Sequence, residues 1–448
     1  MTLRFGTDGV RGAANTELTP ELALALGRAA ARTLGSGPWL VGRDTRLSGP
    51  LLGAAFTAGL ASEGADTVDL GVLPTPGVAH LAAVDQRPGA MISASHNPFG
   101  DNGIKLFRTG GLKLDEPTEA ALEAELAVIE AEGIPGSAER PGGRLVGILR
   151  RDSEAWERYA EHLETAGLDG RRLPGLSVVI DCAHGAASTV APQVLAHLGV
   201  AVTVLHADPD GTNINEGCGS GHPQALQAAV LAQGADAGLA FDGDADRVVA
   251  VDAAGQVVDG DQIIALLAVD LRDRGLLRHA TVAVTVMTNL GFHQAMVRAG
   301  IKVLDTPVGD RHVLAAMEAD DLALGGEQSG HVILRDQATT GDGLLTGLSV
   351  LDVMVRTGRP LADLASVMTR LPQVLLNVRV AKRSPDLLDR VAPEIARAEI
   401  ELAGRGRVLV RPSGTEPLVR VMVEAPTTDE ARQVADVLAS AISLTEDS

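Results

Sequence analysis

Four short stretches of the chain hold residues whose types and spacing suit chemistry. Asp242-Gly243-Asp244-Ala245-Asp246-Arg247 follows the apolar run Gly238 to Phe241 and precedes Val248 to Val251, so it reads as a tight loop between two strands. Three carboxylates at alternate positions can point at one centre only if a cation offsets their repulsion. A ligand set made only of oxygen favours Mg2+ or Ca2+. The loop is not an EF-hand, because its sixth position is Arg247 instead of Gly and its twelfth is Ala253 instead of Glu. An acidic surface turn is the plainer reading, but such a turn gains nothing from three Asp in register.

Arg411-Pro412-Ser413-Gly414-Thr415-Glu416-Pro417 offers a guanidinium, two hydroxyls and a glycine that lets backbone N–H groups turn toward one anion, the parts of a phosphate cradle. An ordinary hairpin turn is the competing reading, and Arg420 favours the cradle. The chain has no Gly-Lys pair, hence no Walker A loop, so a nucleoside triphosphate is not the natural ligand. Gly325-Gly326-Glu327-Gln328-Ser329-Gly330-His331 suits recognition of sugar hydroxyls, where Glu327 accepts and Ser329 does either job. It is no nucleophile elbow, since Glu327 stands two before Ser329. His331 is a general acid/base or a structural loop histidine. Ser95, beside His96 and with Lys105 a short way on, is either a turn serine or a reactive one. A Ser-His dyad is disfavoured, because adjacent residues rarely face each other well.

These residues need elements to hold them. From about residue 18 the pattern alternates helical stretches with short β-rich runs: Leu22 to Leu34 predicts a helix, Trp39 to Gly42 a strand and Leu51 to Gly64 another helix. Ala90 to Ser93 predicts a buried strand that empties into Ala94-Ser95-His96-Asn97-Pro98, where Asn-Pro forces the chain out of regular structure. Open α/β sheets place their ligands at such strand ends. A second block opens near residue 153, after a Gly/Pro-rich stretch, with strand Leu176 to Asp181, helix Ala187 to Leu198 and strand Val202 to His206. A third opens near Gly255, with helix Asp261 to Gly275, strand Thr281 to Val286, helix Leu290 to Ala299, strand Ile301 to Asp305 and helix Arg311 to Ala319. After Leu371-Pro372 come a helix (Pro385 to Gly404), strands at Arg407 to Val410 and Leu418 to Glu424, and a closing helix with Ala431, Val434, Ala435, Leu438 and Ile442 on one face. The chain therefore reads as α/β, with domains over 1–152, 153–254 and 255–370 and a smaller α+β domain over 371–448.

Composition bounds what this scaffold can do. Among 448 residues, 58 Asp+Glu stand against 38 Lys+Arg, a formal net charge of −20, and no basic run is long enough to neutralise phosphates, which argues against nucleic acid. Only nine residues are aromatic (six Phe, two Trp, one Tyr), so the cores must be built from Ala, Val and Leu. Cys182 and Cys218 cannot make a disulfide framework and predict inert thiols in a reducing compartment. The first residues lack an apolar leader, and the run Ile263 to Val269 ends at Asp270, too short for a membrane span. A soluble, cytoplasmic protein is expected, with no membrane partner.

Taken in order along the chain, Gly6-Thr7-Asp8-Gly9-Val10-Arg11-Gly12, Ser93-Ala94-Ser95-His96-Asn97-Pro98, Asp242 to Arg247, Gly326 to His331 and Arg411 to Pro417 resemble the motifs of the α-D-phosphohexomutase family. The resemblance is strongest to its bacterial amino-sugar branch, through Asp210-Gly211-Thr212-Asn213-Ile214-Asn215, Cys218-Gly219-Ser220, Gln328 and Thr339-Thr340-Gly341-Asp342-Gly343. It implies a four-domain architecture around a central cleft, with three similar mixed α/β domains and a smaller fourth that closes over the ligand on the segment near Leu371-Pro372.

The resemblance also implies roles. Ser95 would be the phosphoserine, and Asp242, Asp244 and Asp246 would bind one Mg2+ per chain together with a Ser95 phosphate oxygen. Glu327 and Ser329 would read the sugar. Arg411, Ser413, Gly414, Thr415 and Arg420 would hold the non-reacting phosphate. Arg11, Lys105, Arg247 and His331 are the candidates for stabilising the transferring group or moving protons. The implied reaction interconverts hexosamine 6-phosphate and 1-phosphate through a 1,6-bisphosphate, with glucosamine or glucose 1,6-bisphosphate as activator and glucose or mannose phosphates as the alternative substrates. A homodimer is the implied assembly. Arg11, Lys105, Arg247, Arg411 and Arg420 are expected to concentrate positive potential in an otherwise acidic molecule.

Overall fold

The computed structural model describes residues 9–132, 140–166, 168, 170–380, 387–412 and 418–446. The chain forms two compact units, one of residues 1–287 with 301–366 and one of residues 288–300 with 367–448.

The first unit contains three sheets. The largest holds β1 (Val10–Ala13), β2 (Trp39–Arg43), β3 (Thr67–Val72), β4 (Gly89–Ile92), β5 (Asp101–Arg108), β6 (Leu112–Lys113) and β7 (Leu149–Arg151), in the order β1-β5-β4-β2-β3-β7 with β6 on β5. The second holds β8 (Ser177–Asp181), β9 (Ala201–Leu205), β10 (Ala237–Phe241), β11 (Val248–Asp252) and β12 (Val257–Val258), ordered β12-β11-β10-β8-β9. The third holds β13 (Thr281–Thr285), β14 (Lys302–Thr306), β15 (Leu324–Gly326) and β16 (Val332–Leu334), ordered β14-β13-β15-β16.

One connectivity recurs in all three. A strand pairs in parallel with the next strand in sequence and with the one after it, and that third strand turns back into an antiparallel fourth: β2, β3, β4, β5, then β8, β9, β10, β11, then β13, β14, β15, β16. Parallel neighbours require crossovers, and helices supply them. The helices are α1 (Pro20–Leu34), α2 (Gly49–Ser62), α3 (Thr75–Val84), α4 (Glu116–Glu132), α5 (Ala155–Ala166), α6 (Ala187–His197), α7 (Gln224–Gln233), α8 (Gly260–Asp273), α9 (Leu290–Ala299), α10 (Asp310–Ala319), α11 (Gly343–Thr357) and α12 (Leu361–Ala365). Crossovers α2 and α3, then α6 and α7, then α9 and α10 follow the parallel strands, although α9 belongs to the second compact unit. No helix among the described residues is long and apolar enough to cross a membrane.

Local sequence accounts for these elements. The Thr19 hydroxyl accepts the Leu22 N–H and Pro20 fills the first turn of α1, where its missing N–H costs nothing. Asp259 and Gln262 form a reciprocal capping box on α8. β4, β10 and β11 are buried along their whole length, which fixes their register and so fixes the loops they carry.

The second unit contains an antiparallel sheet of β17 (Gln373–Arg379), β18 (Arg407–Pro412) and β19 (Leu418–Glu424), ordered β17-β19-β18, with α9, α13 (Leu387–Leu402) and α14 (Thr428–Glu446). The predicted face of α14 is its core face: Ala431, Val434, Ala435, Leu438 and Ile442 are all buried. Asn289 caps α9 and Gly300, in the left-handed conformation, ends it.

Candidate active site

Every recurring antiparallel turn carries one of the chemically suggestive stretches. The β4–β5 connection holds Ser95, β10–β11 holds the three aspartates, β15–β16 holds Glu327 to His331, and β18–β19 is the hairpin of the arginine-rich stretch.

Ser95 is buried and its backbone sits in the left-handed region, with φ of 52°. That conformation is uncommon outside glycine and needs support from its surroundings. The Ser93 hydroxyl accepts the Ser95 N–H at 2.9 Å and itself donates to the Asp44 carboxylate at 2.6 Å. Arg46, wholly buried, donates to the carbonyls of Ser95 at 2.9 Å, Asn97 at 2.8 Å and Asp101 at 3.0 Å, and also to that of Pro98. Asp44 holds this guanidinium at 2.9 Å. Asn215 adds donors to the Ser95 and Asn97 carbonyls. The Ser95 hydroxyl is thereby aimed at Asp242 and donates to its Oδ2 at 2.6 Å. Contrary to the sequence expectation that neighbours face each other poorly, His96 Nδ1 lies 3.3 Å from the same hydroxyl. Burial, with Arg247 and Arg11 nearby, lowers the pKa of His96 to about 4, so the ring is neutral near pH 7.

Asp242, Asp244 and Asp246 are buried and present carboxylate oxygens within 4.8 Å of one another. Gly243 lets this loop press against the serine loop, since a Cβ there would lie 2.6 Å from the Ser95 carbonyl oxygen. Burial and the charges of Asp246 and Asp244 push Asp242 well above the usual carboxylate range. Burial would raise Asp246 too, but Lys105, His331 and Arg247 overcome it and hold Asp246 well below that range. Asp244 Oδ1 and Asp246 Oδ1 are buried without a hydrogen-bond partner. Unpartnered carboxylate oxygens converging on one point fit a hard divalent cation.

Of the predicted cations, Lys105, Arg247 and Arg11 stand at these loops, whereas Arg411 and Arg420 belong to the second unit. Lys105, almost fully buried on β5, reaches Asp244 at 2.8 Å and Asp246 at 3.2 Å. Arg247 Nε is 3.8 Å from Asp246 and its N–H donates to Asp242 at 3.2 Å. Burial works against its charge, but Asp246, Asp242 and Glu327 raise its pKa. Arg11, on β1, donates to the Ala94 carbonyl at 3.3 Å. His331 is buried with Nδ1 3.7 Å from Asp246 and Nε2 3.5 Å from Asp310. Burial opposes its protonation, and the two carboxylates outweigh burial and raise its pKa. Nε2 accepts the Gly341 N–H at 3.1 Å, so the neutral ring carries its proton on Nδ1, toward Asp246.

In the β15–β16 turn, Glu327 Oε1 accepts the Gly309 N–H at 3.1 Å, and Ser329 is exposed. In the second unit, Arg411 and Arg420 stand directly opposite each other on β18 and β19. Like charges at such positions repel; burial and then Arg420 lower the Arg411 pKa. An anion placed between them would relieve that repulsion. Ser413, Gly414 and Thr415 lie outside the described residues, as do Gly6, Thr7 and Asp8.

Sequence reasoning missed Asp44, Arg46 and Ser93, which brace the serine loop, and Thr75, whose hydroxyl donates to Asp244 at 2.5 Å. The signal for the first pair was Gly42-Arg43-Asp44-Thr45-Arg46 at the end of a buried strand, a charged run where an open sheet keeps its ligands.

With this geometry established, likeness to known proteins covers nearly the whole chain. Residues 2–132, 157–255, 259–371 and 375–441 match, in order, the three alpha/beta/alpha domains and the C-terminal domain described as phosphoglucomutase/phosphomannomutase. A curated protein of Frankia alni named phosphoglucosamine mutase is 55% identical over 99% of this chain and 98% of its own. One of the same name from Rhodococcus jostii is 54% identical over 98% of each. Among solved structures, a phosphoglucomutase/phosphomannomutase family protein of Burkholderia thailandensis superposes with a TM-score of 0.79 at 25% identity, over 98% of this chain and 97% of its own. The N-acetylphosphoglucosamine mutase of Aspergillus fumigatus, solved with GlcNAc-6P and magnesium, shares the fold with a TM-score of 0.70 at 20% identity, over 100% of this chain and 96% of its own.

Proposed function

The chain belongs to the phosphoglucomutase/phosphomannomutase family, and on that premise we propose that it interconverts glucosamine 6-phosphate and glucosamine 1-phosphate through a phosphorylated Ser95 and a glucosamine 1,6-bisphosphate. The observation that carries the reading is the buried Ser95 hydroxyl bonded at 2.6 Å to Asp242, at the edge of the three-aspartate cluster. The amino-sugar choice is supported by the names of the full-length relatives.

In the proposed reaction the P–Oγ bond of phosphoserine breaks as a bond forms to the sugar hydroxyl, and the proton lost by that hydroxyl is balanced by the one Ser95 Oγ gains. After the bisphosphate turns over in the site, its other phosphoryl group returns to Ser95 by the reverse steps. Asp242, Asp244 and Asp246, with a phosphate oxygen, would hold Mg2+, which would offset their negative charge and draw charge from the transferring oxygens. Arg46 and Ser93 hold the Ser95 backbone in place, so that the hydroxyl needs no reorganisation. Lys105 and Arg247 stabilise the developing charge, Arg11 supports the loop through Ala94, and His331 holds a proton at Nδ1. Glu327 and Ser329 read hydroxyls, while Arg411 and Arg420, with Ser413, Gly414 and Thr415, hold the phosphate that is not reacting.

A mutase assay primed with glucose 1,6-bisphosphate and run on glucosamine, glucose and mannose 6-phosphates tests the reading. Glucosamine 6-phosphate should have the highest kcat/KM; a wide preference for glucose or mannose 6-phosphate would replace it with the hexose reading. Ser95→Ala should abolish turnover, and substantial residual activity would sink the phosphoenzyme route. One Mg2+ per chain, a homodimer and a cytoplasmic location complete the proposal; metal analysis, sedimentation and cell fractionation read them.

A further inference from the structure

We infer that Asp181, His206 and Cys218 form a second metal site, suited to a borderline transition-metal dication of the zinc class and separate from the three-aspartate cluster. The three side chains present a carboxylate oxygen, an imidazole nitrogen and a sulfur within 4.8 Å of one another. They come from three loops of one sheet. Asp181 ends β8, His206 follows the neighbouring β9, and Cys218 lies in the connection that leads to α7.

Two polar atoms of this cluster, Asp181 Oδ2 and His206 Nδ1, make no hydrogen bond to the rest of the chain. Asp181 is fully buried; its Oδ1 accepts the Ala183 N–H at 2.9 Å, which leaves Oδ2. That Oδ2 stands 3.0 Å from His206 Nδ1, yet both atoms are buried without a hydrogen-bond partner. His206 holds φ of 48°, in the left-handed region, and its ring stays partly exposed while Nδ1 faces Asp181. A carboxylate oxygen and an imidazole nitrogen 3.0 Å apart, out of line for a hydrogen bond and next to a buried sulfur, are disposed as ligands are around an ion.

The donor set decides which ion. Sulfur and imidazole select Zn2+ and its neighbours, whereas Mg2+ prefers oxygen, so the two clusters sort different metals. Three protein ligands leave a fourth position for water. Metal binding would exchange the Cys218 thiol proton, released to solvent, for a metal–sulfur bond.

Occupancy would tie down the loops behind Ser95. The Asn215 N–H donates to the Ala183 carbonyl at 3.0 Å, and the Asn215 side chain holds the Ser95 and Asn97 carbonyls. The metal thus braces the serine loop from a distance and takes no part in the transfer step. The site would stand even if the substrate assignment failed, because it rests on none of the phosphosugar residues.

Cobalt is the probe. The full-length protein, reduced and saturated with Mg2+, is titrated with Co2+ under argon. One equivalent per chain should bind with a thiolate-to-cobalt charge-transfer absorption, and Zn2+ should displace it. Cys218→Ser should abolish the band. His206→Asn, at a partly exposed ring that leaves folding intact by circular dichroism, should weaken binding at least tenfold. Asp244→Asn should leave the band unchanged. Zn2+ should also raise the unfolding midpoint of the parent protein and not that of His206→Asn. No charge-transfer band in the parent, or a band of unchanged affinity in both ligand variants, would overturn the site.

Discussion

Ser95 owes its position to a wholly buried arginine. Arg46 spreads one guanidinium over the carbonyls of Ser95, Asn97, Pro98 and Asp101 while Asp44 neutralises it. An ammonium has three donors and no planar fork, so it cannot serve all these acceptors. Arg46→Lys should therefore cost about 1–3 kcal/mol in urea unfolding through carbonyls left unsatisfied, and should lower kcat with a smaller change in KM. Unchanged stability would remove the clamp from the account. The side chains that gather at the candidate site were legible in the sequence, because Ser95, Asp242, Asp244, Asp246, Lys105 and His331 each belong to a dense polar motif. The braces were not. Asp44 and Thr75 act through contacts with residues 49 and 169 positions away, Ser93 and Asp244 respectively, a separation that local pattern does not carry.

At the scale of elements, the turn between β10 and β11 works only because it can lie against the turn between β4 and β5. Gly243→Ala puts a Cβ 2.6 Å from the Ser95 carbonyl oxygen and 2.8 Å from Ile214 Cδ1. Overpacking of this kind costs about 1–3 kcal/mol, and by separating Ser95 from Asp242 it should reduce kcat more than it raises KM. Gly221→Ala, where nothing lies within 4 Å of the added carbon, is the control and should stay within about 0.5 kcal/mol of the parent. In the second unit, fully buried Glu424 accepts the Leu290 N–H at 2.8 Å and faces Arg407 at 3.2 Å. Glu424→Ala should destabilise by about 3–5 kcal/mol and deprotect the first amides of α9 in hydrogen exchange. Helices α1, α2, α6, α8, α9, α10, α13 and α14 were legible from the alternation of apolar helical stretches with short strands. Helix α3 was not, because Pro76 and Gly77 look like breakers, yet they occupy its first turn, where the N–H groups have no helical partner anyway. Strand β5 hid behind its Asp-Asn-Gly opening, which has the composition of a turn.

Across the whole molecule, the partly buried His80 and the solvent-facing His96 help set how the fold responds to acid. Burial comes first in lowering both His80, stacked on His162 at 3.7 Å, and His96, each to about 4. Above pH 6.5 neither the folded nor the unfolded protein holds these protons. Below it the unfolded chain takes them up first, so stability falls as the pH drops from 6.5 toward 4. Asp342, raised to about 6 chiefly by burial, contributes with the opposite sign as pH rises through 6. His80→Phe keeps a ring on His162 and should flatten the acid limb of a midpoint-against-pH curve; an unaltered limb would mean His80 does not set it. The net charge of −20 and the α/β class were plain from composition and periodicity. The division into two compact units was not, since α9 reads as one more crossover and its grouping with residues 367–448 depends on tertiary contacts.

The threefold repetition of one strand connectivity has a consequence for how such a molecule can vary. Each sheet ends its parallel run in a reversal, and the reversals carry Ser95, the three aspartates and Glu327 to His331, so inheritance of the scaffold and of most of the candidate site fall on different codons. In a saturation library, variants that fold but do not turn over would map to a handful of hairpin tips and their braces. Those lost to aggregation would map to the buried strands beneath. A lineage can thus explore new sugars by rewriting tips while the strands beneath stay under unchanged selection.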